Sequence, residues 1–335
     1  MKDRANESAP VASPRVPGVL IAGITALISG VSVFVNSYGV RDISSPAAYT
    51  TAKNLVATVV LGAVCWTGRS LRRQRNTSAP VNFVTRPPGA PAARMGALEW
   101  LGLAYVGVIG GGLAFVLFFD GLAQSEPASA AFWRDTLVIW VALLAVVLLR
   151  ERIQWWNIAA IGMLIAGEVV VSGGVGHLAA NRGELYVVAS SVLWAGEVVV
   201  ARRLLTRLAP ATLSLIRMGV GAAALLVYLT ATGAFGVLAS FTSHQLGWAL
   251  ATGLLLGGYV ATWMTALSRA RALDVTSVLA SSALITWLLQ LTAGTATFGI
   301  SSLGLALIAL GAGLVAVGAF RSMRSLSPDA PAVTR

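Results

Sequence analysis

Charge is scarce in this sequence. Of its 335 residues 11% are Asp, Glu, Lys or Arg, where a soluble chain carries about 25%. So little charge cannot coat a water-facing surface, which excludes an ordinary soluble domain. Cysteine is reduced to Cys65, so no intrachain disulfide and no cysteine-based metal site is available. The only histidines, His177 and His244, lie far apart in predicted loops and supply no metal-ligand spacing. No metal or cofactor is expected. A membrane-embedded enzyme would need a catalytic pair, and the sequence has no His pair, no His-Glu motif and no reactive cysteine setting. The polar segment Met1–Pro17 is followed by an apolar stretch without a small-x-small cleavage site, which reads as an uncleaved first helix and not a signal peptide.

What is abundant is apolar sequence. Hydrophobic residues make up 56%, and they come in runs near the roughly 20 residues that a helix needs to cross a bilayer. Ten runs can be drawn: Gly18–Val35, Pro46–Trp66, Leu98–Phe119, Pro127–Leu149, Trp155–Gly173, Leu185–Val200, Ala211–Thr230, Leu246–Leu267, Val275–Ala293 and Leu303–Phe320. The fold class expected is an all-α integral membrane protein of ten transmembrane helices. The stretch Arg69–Arg94 reads as a flexible loop and the tail after Phe320 as disordered.

The cations test that count. The formal charge of +11 does not signal nucleic acid, because no basic stripe is interleaved with aromatics. Instead 19 of the 24 Lys and Arg residues fall in the N-terminal tail, in every second loop and in the C-terminal tail. The intervening loops hold only Arg41 and Arg182, and Lys53, Arg134 and Arg217 lie inside runs. Such alternation is what the positive-inside rule demands of a correct span count. It places both termini in the cytoplasm and the protein in the plasma membrane, with lipid as its surroundings.

An internal repeat runs through the pattern. Pro46-Ala47, with Lys53 seven residues after the proline, aligns without gaps on Pro210-Ala211, with Arg217 seven residues after its proline. The copies sit in the second and seventh runs. An odd offset of five helices makes them face opposite ways, as in the inverted repeats of many secondary transporters. The two repeats read as 18–174 and 183–320, flanked by tails 1–17 and 321–335.

On these residues the chain resembles the drug/metabolite transporter superfamily, in its EamA-like ten-helix branch. Leu148-Leu149-Arg150-Glu151-Arg152 looks like the family's apolar-Gly-Glu-Arg turn after the fourth helix, and Gly162 and Gly167 pattern the fifth. In the second repeat the resemblance rests on Trp194-Ala195-Gly196, Arg217, Gly304 and Gly311. It implies a carrier that often exports amino acids or other metabolites and in some members antiports phosphorylated compounds or nucleotide sugars. Four departures stand out. No proline occupies the middle of the fourth run near Val138 or of the ninth near Ser282, the second Gly-Glu turn reads Gly294-Thr295, and Lys53 replaces a more usual arginine.

An ionisable group inside a membrane helix costs roughly 2.5–3.5 kcal/mol on insertion scales, so each one needs a reason. Six lie well inside runs: Lys53, Arg134, Asp135, Glu168, Glu197 and Arg217. At about 1.5 Å of rise per residue, Lys53, Arg134, Asp135 and Glu168 belong to the outer half of the membrane, and Glu197 and Arg217 to the inner half. Trp133-Arg134-Asp135 interrupts an apolar helix and could offer a zwitterion a cation, an anion and an aromatic face; the alternative is structural pairing, for instance of Asp135 with Lys53. Glu197, one turn from Trp194, reads either as a proton-coupling carboxylate or as the salt-bridge partner of Arg217. Trp133, Arg134, Asp135, Trp194, Glu197 and Trp263 are the candidate substrate residues. Lys53, Arg217 and Glu168 are the candidates for gating or intramembrane ion pairs. Glu99, Asp120, Glu126, Glu151, Glu184 and Asp274 stand near helix ends as interfacial charges or caps, and the glycine clusters read as packing surfaces.

The function expected is secondary active export of a small amino acid-like or other metabolite, with proton coupling resting on Asp135 and Glu197. The oligomeric state is left open. The rival readings are an importer or antiporter of another metabolite and, in a different class, a non-transporting scaffold or receptor.

Overall fold

A helix satisfies its own backbone hydrogen bonds, which is the condition for lying in lipid, and the apolar runs fold accordingly. The computed structural model describes residues 15–40, 42–43, 45–74, 95–125, 133–134, 136–151, 153–171, 181–294, 303–304, 306–311, 313–314 and 317–318. Among the described residues there is no strand. The helices are α1 (Arg15–Gly39), α2 (Pro46–Gln74), α3 (Ala97–Ala104), a π-helical segment (Tyr105–Leu113), α4 (Ala114–Ala123), α5 (Leu137–Leu149), α6 (Trp155–Val171), α7 (Arg182–Leu204), α8 (Pro210–Ala231), the short α9 (Phe235–Ala239), α10 (Ser243–Arg269), α11 (Ala272–Leu279) and α12 (Ser282–Thr292). Seven stretches are long and apolar enough to cross a membrane, and Leu137–Leu149 and Trp155–Gly167 are shorter apolar helices. All of the described residues in 303–318, within the tenth run, are helical.

Starts and stops follow side-chain chemistry. Asn181 accepts from the amide of Glu184, whose carboxylate accepts from Asn181 in return. Thr242 and Gln245 do the same ahead of α10. Each reciprocal pair satisfies donors that a helix start leaves open. Glu184 is therefore a cap, as its place at a helix end suggests. Helix α2 continues past the expected end at Trp66 as far as Gln74. It draws part of the predicted loop onto a helix, because Arg and Leu are good helix formers. The rest of that loop and the tail after Phe320 lie outside the described residues.

Two runs are broken. The fourth has a turn at Thr136 ahead of α5, and the ninth divides at Ala280-Ser281 between α11 and α12. The breaks fall near the places where the family pattern has proline, and in this chain a hydroxyl stands at each. Thr136 Oγ1 donates to Trp133 O at 2.6 Å, and Ser281 Oγ donates to Val278 O at 2.7 Å. In each case a side chain takes a carbonyl three residues back, competing with the helix ladder. The turns that close these runs also correspond. Arg150 ends α5 with φ 54°, and Gly294 follows α12 with φ 69°. Both are left-handed, as helix C-termini commonly require.

The contacts interleave the two halves of the chain. α1 packs on α10, α11 and α12; in exchange, α7 packs on α4, the π segment and α5. α2 packs on α10, and α8 on the π segment. α2 and α8, the repeat mates, pack on each other, as do α5 and α11. Each contact has a counterpart with the halves swapped, the pattern of a two-repeat architecture. Glycines permit the closest crossings: a Cβ on Gly111 would stand 2.5 Å from Arg217 O and 3.1 Å from Gly221 Cα, and one on Gly167 would stand 2.5 Å from Gly304 O. The outward faces are apolar, with Val59 71% and Val227 70% exposed, whereas Asn54, Ser190 and Ser214 are fully buried. Polar groups inside and aliphatic ones outside suit a protein whose solvent is lipid.

Candidate functional site

Between the interleaved halves lies a partly open cavity of about 220 Å³ lined by residues of α1, α2, α4, α5, α7, α8, α10, α11 and α12. Both broken runs reach it, through Arg134, Leu137 and Val138 on one side and Leu279, Ala280 and Ser282 on the other. A helix break frees backbone groups and turns side chains out of register, which is how discontinuous helices build a site at membrane depth.

The π-helical segment supplies the other backbone groups near the cavity. Its triple glycine leaves carbonyls open to side chains from three helices. Trp194 Nε1 donates to Gly110 O at 3.1 Å, and Asn54 Nδ2 donates to Gly111 O at 3.2 Å. The Arg217 guanidinium also approaches Gly110 O. A Cβ on Gly110 would collide with the Glu197 carboxylate, so glycine is needed there for the carboxylate to reach its partner.

That partner is Arg217. Its Nε donates to Glu197 Oε1 and its Nη2 to Oε2 at 3.0 Å, a two-point pair. Glu197 is 3% and Arg217 6% exposed. Two-point geometry with both charges satisfied is the arrangement under which a buried pair is tolerable.

Lys53, the repeat mate of Arg217, is equally buried at 5% exposure, but its partner is an amide. Nζ donates to Asn36 Oδ1 at 2.7 Å. Asn36 is oriented by its own amide donor, which reaches Ser32 O at 2.7 Å. The Tyr49 hydroxyl lies 3.0 Å from both Asn36 Oδ1 and Thr252 Oγ1. The Lys53 ammonium also faces the Tyr49 and Phe119 rings, at 4.7 and 5.3 Å from their centroids. An aromatic strip joins the two cations. Arg217 stands over Phe115, Phe115 and Phe118 both pack on Trp194, and Phe118 packs edge-on against Phe119. Across the cavity Tyr259 and Trp263 stack at 6.1 Å.

Of the candidates named from sequence, Lys53, Arg134, Trp194, Glu197, Arg217 and Trp263 all line this cavity. Trp133 is half-buried and is not among the lining residues. Asp135 and the side chain of Glu168 lie outside the described residues. Asn36, Tyr49, Phe115, Phe118 and Tyr259 were missed. Tyr49 had one signal available, its place between the repeat proline and Lys53.

A second cluster ties the halves together where the fourth run ends. Glu151 accepts from the amides of Ala272 at 3.1 Å and Leu273 at 3.5 Å, capping the start of α11. Arg271 holds Asp274 at 2.8 and 2.7 Å, and Arg203 donates to Leu148 O. The Glu151 side chain of the family-like turn is thus a cap on the opposite repeat.

The two halves of this helical membrane protein thus line one mainly apolar, aromatic-rich cavity that carries four charged side chains. The chain is a member of the EamA-like transporter family, whose model matches residues 16–173 and again 181–317. Among solved structures, one titled only "Crystal structure of protein" aligns with a TM-score of 0.68 and 21% identity, over 92% of this chain and 99% of that one; the likeness is one of fold. No curated protein matches the chain.

Proposed function

We propose that this protein is a secondary active transporter that exports a small amino acid-like or other metabolite across the plasma membrane by alternating access. The observation that carries the reading is the cavity between the two repeats, bounded by two broken runs and holding four buried or half-buried charges. In this reading ten helices form two inverted halves, 18–174 and 183–320, with tails 1–17 and 321–335 in the cytoplasm. Rocking of one half on the other exposes the cavity to each side in turn, and the glycine-to-backbone crossings are the surfaces that slide. Proton coupling rests on Asp135 and Glu197, and the Glu197–Arg217 pair is the element that would have a closed and an open form.

One observation favours a second reading, uptake or antiport of an anionic metabolite. Among the described residues the cavity carries Lys53, Arg134 and Arg217 against Glu197 alone. Extracellular metabolite profiling distinguishes the two. Cells expressing the protein should accumulate a compound outside that vector-only cells do not. Depletion of a compound from the medium would replace export by uptake, and no change in either direction would contradict transport.

A further inference from the structure

The two halves of the chain hold their buried cations in different ways. In the second half a cation on the second helix of the repeat, Arg217, meets a carboxylate on the first, Glu197. In the first half the corresponding cation, Lys53, also meets a side chain on the first helix, the neutral Asn36, which lies three residues beyond Val33, the residue that the gapless alignment sets on Glu197. Both cations are buried and both line the cavity. Arg217 is therefore neutralised within its own repeat. Among the described residues no carboxylate pairs with Lys53, and Asn36 Oδ1 is its one hydrogen-bond acceptor.

A buried ammonium without a counter-ion is costly, and an ammonium has three donors. One is used on Asn36. The Tyr49 and Phe119 rings on either side offer only π-faces, which attract a cation but do not neutralise it. An anion arriving in the cavity supplies both the missing charge and the missing acceptors. Beside Lys53 the strip of Phe118, Phe115 and Trp194 offers apolar and aromatic surface, ending at Arg217, which is already satisfied.

We infer that Lys53 is the anion seat of the cavity: it binds the carboxylate of the transported solute, while the solute's apolar part lies along Phe118, Phe115 and Trp194. The inference rests on the transporter reading and adds to it which group holds the substrate and what the substrate must carry. A carboxylate fits Lys53 because it matches the one charge of the ammonium and presents two oxygens to its remaining donors. Lys53 is then a substrate ligand as well as the repeat mate of Arg217.

The test uses the full chain in cells, with extracellular metabolite profiling at equal membrane abundance, and the purified protein for thermal unfolding. The wild type should release a carboxylate-bearing solute. Lys53→Gln should reduce that release by about tenfold or more, the factor that one modest charge interaction represents, and Lys53→Arg should retain most of it. Asn36→Asp is the decisive variant. It installs the missing carboxylate, so the purified protein should unfold at a higher temperature than the wild type and yet release little solute, because the seat is filled. Three results overturn the inference while leaving transport standing: release of a solute with no anionic group, undiminished release by Lys53→Gln, or undiminished release by Asn36→Asp. If the wild type releases nothing beyond the vector control, the transporter reading fails and the inference falls with it.

Discussion

Arg217 grips Glu197 at two points on consecutive helices, and neither charge has another charged partner among the described residues. Removing one member of a buried pair strands the other, at a cost of about 3–5 kcal/mol, whereas removing both costs far less. Glu197→Gln should therefore lower the unfolding temperature sharply, and Glu197→Gln with Arg217→Gln should recover most of the loss. The readout is thermal unfolding of the purified protein in micelles. A loss in the double variant equal to the sum of the losses of Glu197→Gln and Arg217→Gln made singly would mean that the two side chains stabilise the fold independently.

The crossing of Gly111 and Gly221 makes a second expectation. A Cβ on Gly221 would stand 2.5 Å from Gly111 O, and backbone cannot yield as a side chain tip can. Gly221→Ala and Gly111→Ala should each destabilise by at least about 2 kcal/mol, in the range of overpacked cores. Gly23→Ala is the control. Nothing lies within 4 Å of a Cβ there, so the change should be neutral or should stabilise α1 by about 0.5–1 kcal/mol. Yield and unfolding temperature in micelles check all three.

Arg150 holds φ at 54° to end α5, a conformation that costs an L-residue roughly 1–2 kcal/mol and glycine almost nothing. Arg150→Gly should raise stability by about 1 kcal/mol. Gly294→Ala at the equivalent turn should lower it by a similar amount, because its φ is 69°. Opposite signs at the two turns, read by denaturant unfolding, are the expected outcome.

The pattern of breaks can be tested at the hydroxyls. Thr136→Val and Ser281→Ala remove the donors to Trp133 O and Val278 O. Each should cost about 1 kcal/mol, the net worth of a hydrogen bond, and slow transport more than it lowers abundance, because both breaks border the cavity. Unchanged rates would confine these hydroxyls to a structural role.

Charge placement made much of this legible in the sequence. Lys53 and Arg217 were visible as repeat mates because membrane helices carry few ions and each has a proline seven residues before it. The Glu197–Arg217 pair was foreseeable because opposite charges on consecutive helices neutralise each other. The aromatic lining was not visible. A ring inside an apolar helix has the same sequence signature whether it faces lipid, a neighbour or a cavity, so Phe115, Phe118 and Tyr259 could not be told from packing residues. Asn36 was hidden for another reason: a neutral amide carries no positional rule of its own, and its meaning came from the cation that found it. The breaks themselves had no proline to mark them: the fourth run turns at Thr136 and the ninth at Ala280-Ser281. The π segment had only its three glycines to announce it.

The most direct test of the central claim asks whether one cavity residue meets both sides of the membrane. Ser29 lines the cavity, and Cys65 is the sole cysteine, so Ser29→Cys in a Cys65→Ser background gives a single reporter. It would be exposed to a small membrane-impermeant methanethiosulfonate in right-side-out and in inside-out vesicles. Alternating access predicts labelling from both sides, and protection from both when the exported solute is present. Labelling from one side only, or from neither, would contradict the account.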